Sequence, residues 1–328
     1  MYPLRRPPTR RLSGKSRLQE LLNIVLPFFA LIFAGYGFGH TPLLKPEAVR
    51  GLVEFVFWFA LPAMLFMKIA EAPFREAFDW RFLASYSGAG IIVYGIGFLV
   101  AMRLFRLALD QSAVFAMGSA FGNVGFMGLP MVALAFGDEA LLAAVLAVTA
   151  DQMIFIPLTS GLIQAGRGDR AALGRTFLNV GRGIVRNPLV IATFCGLAFG
   201  LSGLALPVPV ATFGNLLADA AAPCALFALG ATLAGRKLGE GKTEVGTVSA
   251  LKLLVHPAIT LGLALLLGLP PFLTGIAVMQ AAMPIAANVF IMAQGYEVYV
   301  RRSSSAILIS TFAAVITLSA VILVLLSE

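Results

Sequence analysis

Gly122-Asn123-Val124-Gly125-Phe126-Met127-Gly128-Leu129-Pro130 breaks an apolar run that is otherwise long enough to cross a lipid bilayer. A second break, Ala281-Ala282-Met283-Pro284-Ile285-Ala286-Ala287-Asn288, falls in another such run. Each carries a proline and an amide side chain where lipid penalises both. Non-helical backbone at membrane depth persists only where protein buries it or where it lines a cavity. Paired interruptions in corresponding parts of a chain point to a transporter's binding site.

Composition around the breaks agrees with a membrane setting. Of 328 residues, 59% are hydrophobic and 12% charged, with a mean hydropathy of +0.91. A soluble domain carries about 25% charged residues, so the missing charge implies lipid-facing surface. Cys195 and Cys224 lie in apolar segments and indicate neither a disulfide framework nor a metal cluster, and His40 and His256 are too few for a histidine-based metal site. A net charge of +8 would suggest a nucleic-acid partner in a soluble protein. Here the basic residues gather between apolar segments, so membrane topology explains them and no nucleic acid is expected.

About ten stretches approach the roughly 20 apolar residues that a helical crossing needs. They are Leu18–Gly39, Ala48–Ile69, Phe82–Leu104, Ser112–Phe136 and Glu139–Ile163, then Ile184–Leu201, Thr212–Ala234, Val245–Leu267, Phe272–Gln294 and Ser304–Leu326. The expected fold is an all-α polytopic membrane protein. It has a basic tail over 1–17, a five-helix unit over 18–165, a linker over 166–182 and a second five-helix unit over 183–328.

The two units share landmarks. Ala60-Leu61-Pro62-Ala63-Met64-Leu65-Phe66 resembles Ala221-Ala222-Pro223-Cys224-Ala225-Leu226-Phe227, and the prolines are 223 − 62 = 161 positions apart. The same offset carries Asn123 onto Pro284, inside the other break. An odd number of spans per half gives the halves opposite orientations, which is the inverted 5+5 repeat of many secondary transporters.

Lysine and arginine set the orientation. One side would hold Lys45, Arg50, Arg103, Arg106, Arg167, Arg170, Arg175, Arg182, Arg186, Arg236, Lys237, Lys242, Lys252, Arg301 and Arg302; the other holds Lys68, Arg75 and Arg81. This puts the linker in the cytoplasm and both termini outside. The tail residues Arg5, Arg6, Arg10, Arg11, Lys15 and Arg17 run against that assignment. The tail lacks the layout of a cleavable signal, and a start near Leu18 would remove the conflict.

The breaks have a definite chemistry. Pro130 has no amide hydrogen and deprives the Phe126 carbonyl of its helical partner, while Gly122, Gly125 and Gly128 ease unwinding. Pro284 does the same to the carbonyl of Gln280, and Asn288, four residues on, shares its face if the helix resumes there. Asn123 and Asn288 offer both donors and acceptors. If the breaks cross, two half-helix N-termini converge and form a carboxylate site that needs no buried arginine. The competing reading is a pair of ordinary proline kinks.

These residues resemble a known family. The 122–130 motif is similar to the fourth-span signature of the auxin efflux carrier family of membrane permeases. Supporting matches are Leu251-Lys252-Leu253-Leu254-Val255-His256-Pro257, Met283 to Phe290, Ser303 to Thr311, and the opening Leu18 to Pro27. The resemblance implies a ten-span inverted repeat like that of the bile-acid sodium symporters, with broken fourth and ninth helices that cross. Spans one, two, six and seven would form a scaffold, through which a homodimer could assemble, and the other six would move. It also implies an inner-membrane permease. Bacterial relatives are linked to malonate and malate, plant members to auxin export. The linker is short, so regulation through a long loop is not carried over.

Ionisable residues inside spans are functional candidates. Asp151, followed by Gln152, either couples transport to a proton or Na+ or holds the break by hydrogen bonding. Lys252 and His256 share a helical face. Lys252 and His256 either attract an anion or, in the preferred readings, Lys252 snorkels to the interface and His256 is a satisfied structural histidine. Glu54 and Asp219 read as interfacial or structural residues near span ends, and Tyr36, Trp58 and Tyr94 as packing or membrane-interface residues rather than ligand contacts. The expected substrate site is Asn123, Gly125, Pro130, Gln280, Pro284 and Asn288, with no resident cofactor.

Two alternatives compete with a carrier: an anion channel, or a membrane sensor that keeps the transporter fold. An intramembrane enzyme would need paired aspartates, HExxH or a serine–histidine arrangement, none of which the sequence offers at suggestive spacing, and no Walker sequence supports ATP drive.

Overall fold

The computed structural model describes residues 14–71, 79–167, 185–234 and 241–325. Residues 1–13 of the tail, most of the linker, and Arg75, Arg170, Arg175, Arg182, Arg236 and Lys237 of the charge tally lie outside the described residues. Within them the chain is helical, without strands. The helices are α1 (Gly14–Gly39), α2 (Pro46–Ala70), α3 (Trp80–Arg103), α4 (Leu109–Ala120), α5 (Val124–Phe136) and α6 (Asp138–Gly166). They continue as α7 (Pro188–Ser202), α8 (Val208–Ala234), α9 (Lys242–Leu266), α10 (Pro271–Ala281), α11 (Ala287–Gly295) and α12 (Val300–Leu325).

Within the described residues each of the ten apolar stretches is mainly helical, and the two broken ones divide in their interiors, at 121–123 and 282–286. Among the described residues, six helices are long and apolar enough to cross a membrane: α2, α3, α6, α8, α9 and α12. Their outer faces carry Ile316, Leu216 and Leu266, exposed by 76%, 69% and 79%, as expected where lipid is the solvent. Local chemistry sets several starts. Pro46, Pro188 and Pro271 occupy first turns, where a missing N–H costs nothing, and Asp79 and Asn187 cap α3 and α7 through side-chain oxygens.

The helices pack as two groups. α1, α2, α7 and α8 form one; α3, α4, α6, α9, α10, α11 and α12 pack among themselves to form the other, and α5 adjoins both. In the first group, α1 and α8 approach so closely that a Cβ added at Gly230 would lie 1.9 Å from the Ile32 carbonyl oxygen. Gly230→Ala should therefore push the helices apart and destabilise by about 1–3 kcal/mol, the usual cost of overpacking. Gly246→Ala, which meets nothing within 4 Å, is the control. A detergent melting curve that left the Gly230 variant unchanged would contradict this packing.

Two sequence assignments change. Lys252 is fully buried and so leaves the tally of loop charges. Asp219 lies well inside α8 rather than near its end, on an exposed face. Glu54 is exposed and pairs with Arg50 at 2.9 Å. Trp58 faces outward, while Tyr36 packs against Phe312 and Tyr94 bonds Thr159.

Candidate functional site

The two breaks meet. Asn123 N–H donates to the Pro284 carbonyl at 2.7 Å, and Ala286 N–H donates to the Phe121 carbonyl at 3.2 Å. Gly122 and Ile285 thus form a short antiparallel bridge between backbones that proline and glycine had freed from helical bonding. Ile285 N–H is satisfied by Ser310 Oγ of α12 at 3.2 Å. The bridge accounts for the amides that α-helical continuation would have paired.

The bridge leaves two helix starts beside each other. α5 opens with a π-helical turn, Val124–Gly128, at whose end Met127 and Gly128 both donate to the Asn123 carbonyl. α11 begins at Ala287. No side chain caps either start, so first-turn N–H groups and the positive ends of both helix dipoles stay available to a ligand. A cavity of about 60 Å³ lies against them, between the two helix groups. Asn123, Gly125, Gln152 and Asn288 line it, together with Phe57, Leu61, Val148 and Leu189.

Of the candidates read from sequence, those four share the cavity. Pro284 contributes through its carbonyl, and it lies in the non-helical break. The shared helical face proposed for Pro284 and Asn288 therefore does not exist, because the helix resumes only at Ala287. Pro130 is buried in the first turn of its helix segment and is not in the lining. Gln280 is fully buried; its Nε2 reaches the Ala144 carbonyl at 3.5 Å, and its Oε1 packs toward Gly128 without a hydrogen-bond partner.

Asp151, Lys252 and His256 form a layer behind the bridge. Asp151 accepts from Tyr86 Oη at 3.1 Å and from the Gly122 backbone N–H. Lys252 does not snorkel: its ammonium donates to the Ala281 carbonyl at the end of α10 and lies 3.1 Å from His256 Nδ1. It also lies 3.1 Å from where a Cβ on Gly122 would be, so a larger residue there would have to displace the ammonium by a few tenths of an ångström. A half-helix C-terminus carries partial negative charge, so a cation is stabilised at that point. His256 corrects a second expectation. Its Nε2 has no hydrogen-bond partner, so the ring is only half satisfied.

Sequence reasoning missed Tyr86 and Asn187. Tyr86 looks like one more aromatic in an apolar helix; only the fold brings it to Asp151. Asn187 does carry a signal, since asparagine before proline marks a helix start. Its Nδ2 donates to Gln152 Oε1 at 3.1 Å.

Residues 21–322 match the model of a family described as membrane transport protein. A protein of Rhizobium meliloti (strain 1021) named for malonate transport is 33% identical over 304 residues, covering 92% of this chain and 95% of its own. The uncharacterized transporter YfdV of Escherichia coli (strain K12) is 26% identical over 306 residues, 92% of this chain and 96% of its own. An auxin efflux carrier component 1b of Oryza sativa subsp. japonica is 30% identical over 135 residues, 39% of this chain and 24% of its own. The chain belongs to the membrane transport protein family that contains the auxin efflux carriers, and it is a multi-pass membrane transporter rather than an enzyme.

Proposed function

We propose that this permease moves a small organic anion, such as a mono- or dicarboxylate, across the inner membrane by alternating access at the paired breaks. The observation that carries this reading is a cavity flanked by two uncapped helix starts and lined by Asn123, Asn288 and Gln152. Such a site attracts a carboxylate through backbone dipoles and amides, without the desolvation cost of a buried arginine. The relative named for malonate transport favours a short dicarboxylate.

The architecture in this reading is a ten-span inverted repeat of the bile-acid symporter kind, with units 18–165 and 183–328. One offset of 162 residues, as in 208 − 46, relates the starts of α2 and α8, α3 and α9, α4 and α10, and α6 and α12. The first packing group would be a scaffold, through which two copies associate. The second would carry the site, in an elevator-like or rocking motion against the scaffold. Both termini would lie outside and the linker in the cytoplasm.

Coupling, in the same reading, runs through Asp151. It stands one backbone bond behind Asn123 and would exchange its partner for a proton or Na+ as the site loads. An anion leaving an inside-negative cell gains about 2.3 kcal/mol per 100 mV for each negative charge it carries, so export needs no coupling whereas uptake does. Asp151→Asn should leave exchange of anion for anion intact and abolish the dependence of uptake on a pH or sodium gradient. Unchanged gradient dependence in proteoliposomes would remove Asp151 from coupling.

A thermal-shift screen of the purified protein against mono- and dicarboxylates, with and without sodium, tests the substrate class. A saturable shift with malonate or a close analogue is expected. A protein stabilised by organic cations and by no carboxylate would contradict the reading.

A further inference from the structure

We propose that Asn187 is a positioning residue: it fixes the Gln152 amide so that its N–H groups, not its oxygen, face the cavity. The inference rests on the anion-permease reading above and explains how the site sets the sign of its ligand.

Amide oxygen and nitrogen are alike in shape, so orientation has to be argued from partners that are not ambiguous. Leu189 N–H is one, because a backbone amide only donates. It lies 2.9 Å from the Asn187 side chain, which makes that atom Oδ1. The other terminal atom of Asn187 is then Nδ2, a donor. It meets the Gln152 side chain at 3.1 Å, and a donor must meet Oε1. The remaining Gln152 atom is Nε2, with its two hydrogens. Each step follows from the capping bond of α7, and Pro188 reinforces that bond by holding the first turn in helical geometry.

The neighbouring amides lack such a constraint. Among the described residues, no side-chain bond fixes Asn123 or Asn288, so each can turn either end to a ligand. Asn187 is 7% exposed and anchored at the start of a helix, whereas Gln152 is the lining residue. A carboxylate needs donors, and an acceptor turned toward it repels. Asn187 thus acts on the ligand through Gln152, without touching it.

Asn187→Asp separates orientation from folding. Aspartate caps helices about as well as asparagine, so Leu189 keeps its bond. The second oxygen now accepts, which draws Gln152 Nε2 toward residue 187 and turns Oε1 into the cavity. The expected result in proteoliposomes is an apparent KM for malonate raised about tenfold with Vmax changed less than twofold. The added negative charge could by itself repel an anion, so the same substitution is made in a Gln152→Ala background. There it should raise KM less than twofold further. Full additivity, or an unchanged KM in the single variant, overturns the proposal.

A second readout does not depend on transport. The side-chain NH2 of Gln152, assigned by its loss in Gln152→Ala, should exchange with water rapidly in the wild type. In Asn187→Asp it should exchange at least tenfold more slowly, because it is bonded to a buried carboxylate. Equal exchange rates overturn the proposal. Slowed exchange with no malonate uptake by the wild type would sustain the orientation and defeat the permease reading instead.

Discussion

Asn123→Ala is expected to lower saturable uptake of a small carboxylate about tenfold or more, while the protein still inserts and melts as the wild type does. The backbone bond from residue 123 to the Pro284 carbonyl survives the substitution, as does the carbonyl that accepts from Met127 and Gly128. What disappears is an amide at the start of α5, inside the cavity. A hydrogen bond to a charged partner contributes about 1.5–3 kcal/mol, and each 1.4 kcal/mol is about tenfold in affinity. Asn288→Ala, at the start of α11, should act in the same direction. Wild-type flux in both variants would show that the substrate does not use the paired helix starts.

Lys252→Met should have the largest effect on stability. The ammonium is fully buried, donates to a helix-end carbonyl and, beyond ion-pair contact, attracts the Asp151 carboxylate across Gly122. Removing one partner from a buried charge arrangement typically costs about 3–5 kcal/mol, because the other is left uncompensated. Removing both charges is far milder. The double variant Asp151→Asn/Lys252→Met should therefore recover most of the thermal stability lost in Lys252→Met, though not gradient-driven uptake. A single variant as stable as the wild type would mean that the ammonium contributes no net compensation. A double variant no more stable than the single one would separate Lys252 from Asp151.

The sequence made the helices and the breaks legible for a physical reason. In lipid, every apolar run of sufficient length must satisfy its own backbone, so proline, glycine and asparagine inside such runs stand out. Asn123, Gly125 and Asn288 could be singled out on that basis, and Gln152 as the neighbour of an ionisable residue inside a span; the four share one cavity. Tertiary partners were not legible. Lys252 read as a snorkelling residue because a lone lysine on a helix normally reaches the interface; only the break opposite it supplies a carbonyl at depth. Gln280 and Pro130 lie close to the breaks in sequence but do not line the cavity: both are buried, and Gln280 reaches the Ala144 carbonyl instead. Tyr86 and Asn187 act through contacts 65 and 35 residues away in the chain, beyond the reach of any local pattern.

The central claim is that the paired breaks form a carrier site exposed to one side at a time. Counterflow tests it most directly. Proteoliposomes loaded with unlabelled malonate and diluted into trace labelled malonate should accumulate label transiently above equilibrium, because a carrier returns loaded, and Asn123→Ala should lose the overshoot. Label that only equilibrates, without overshoot and without saturation, would identify a channel and contradict the account.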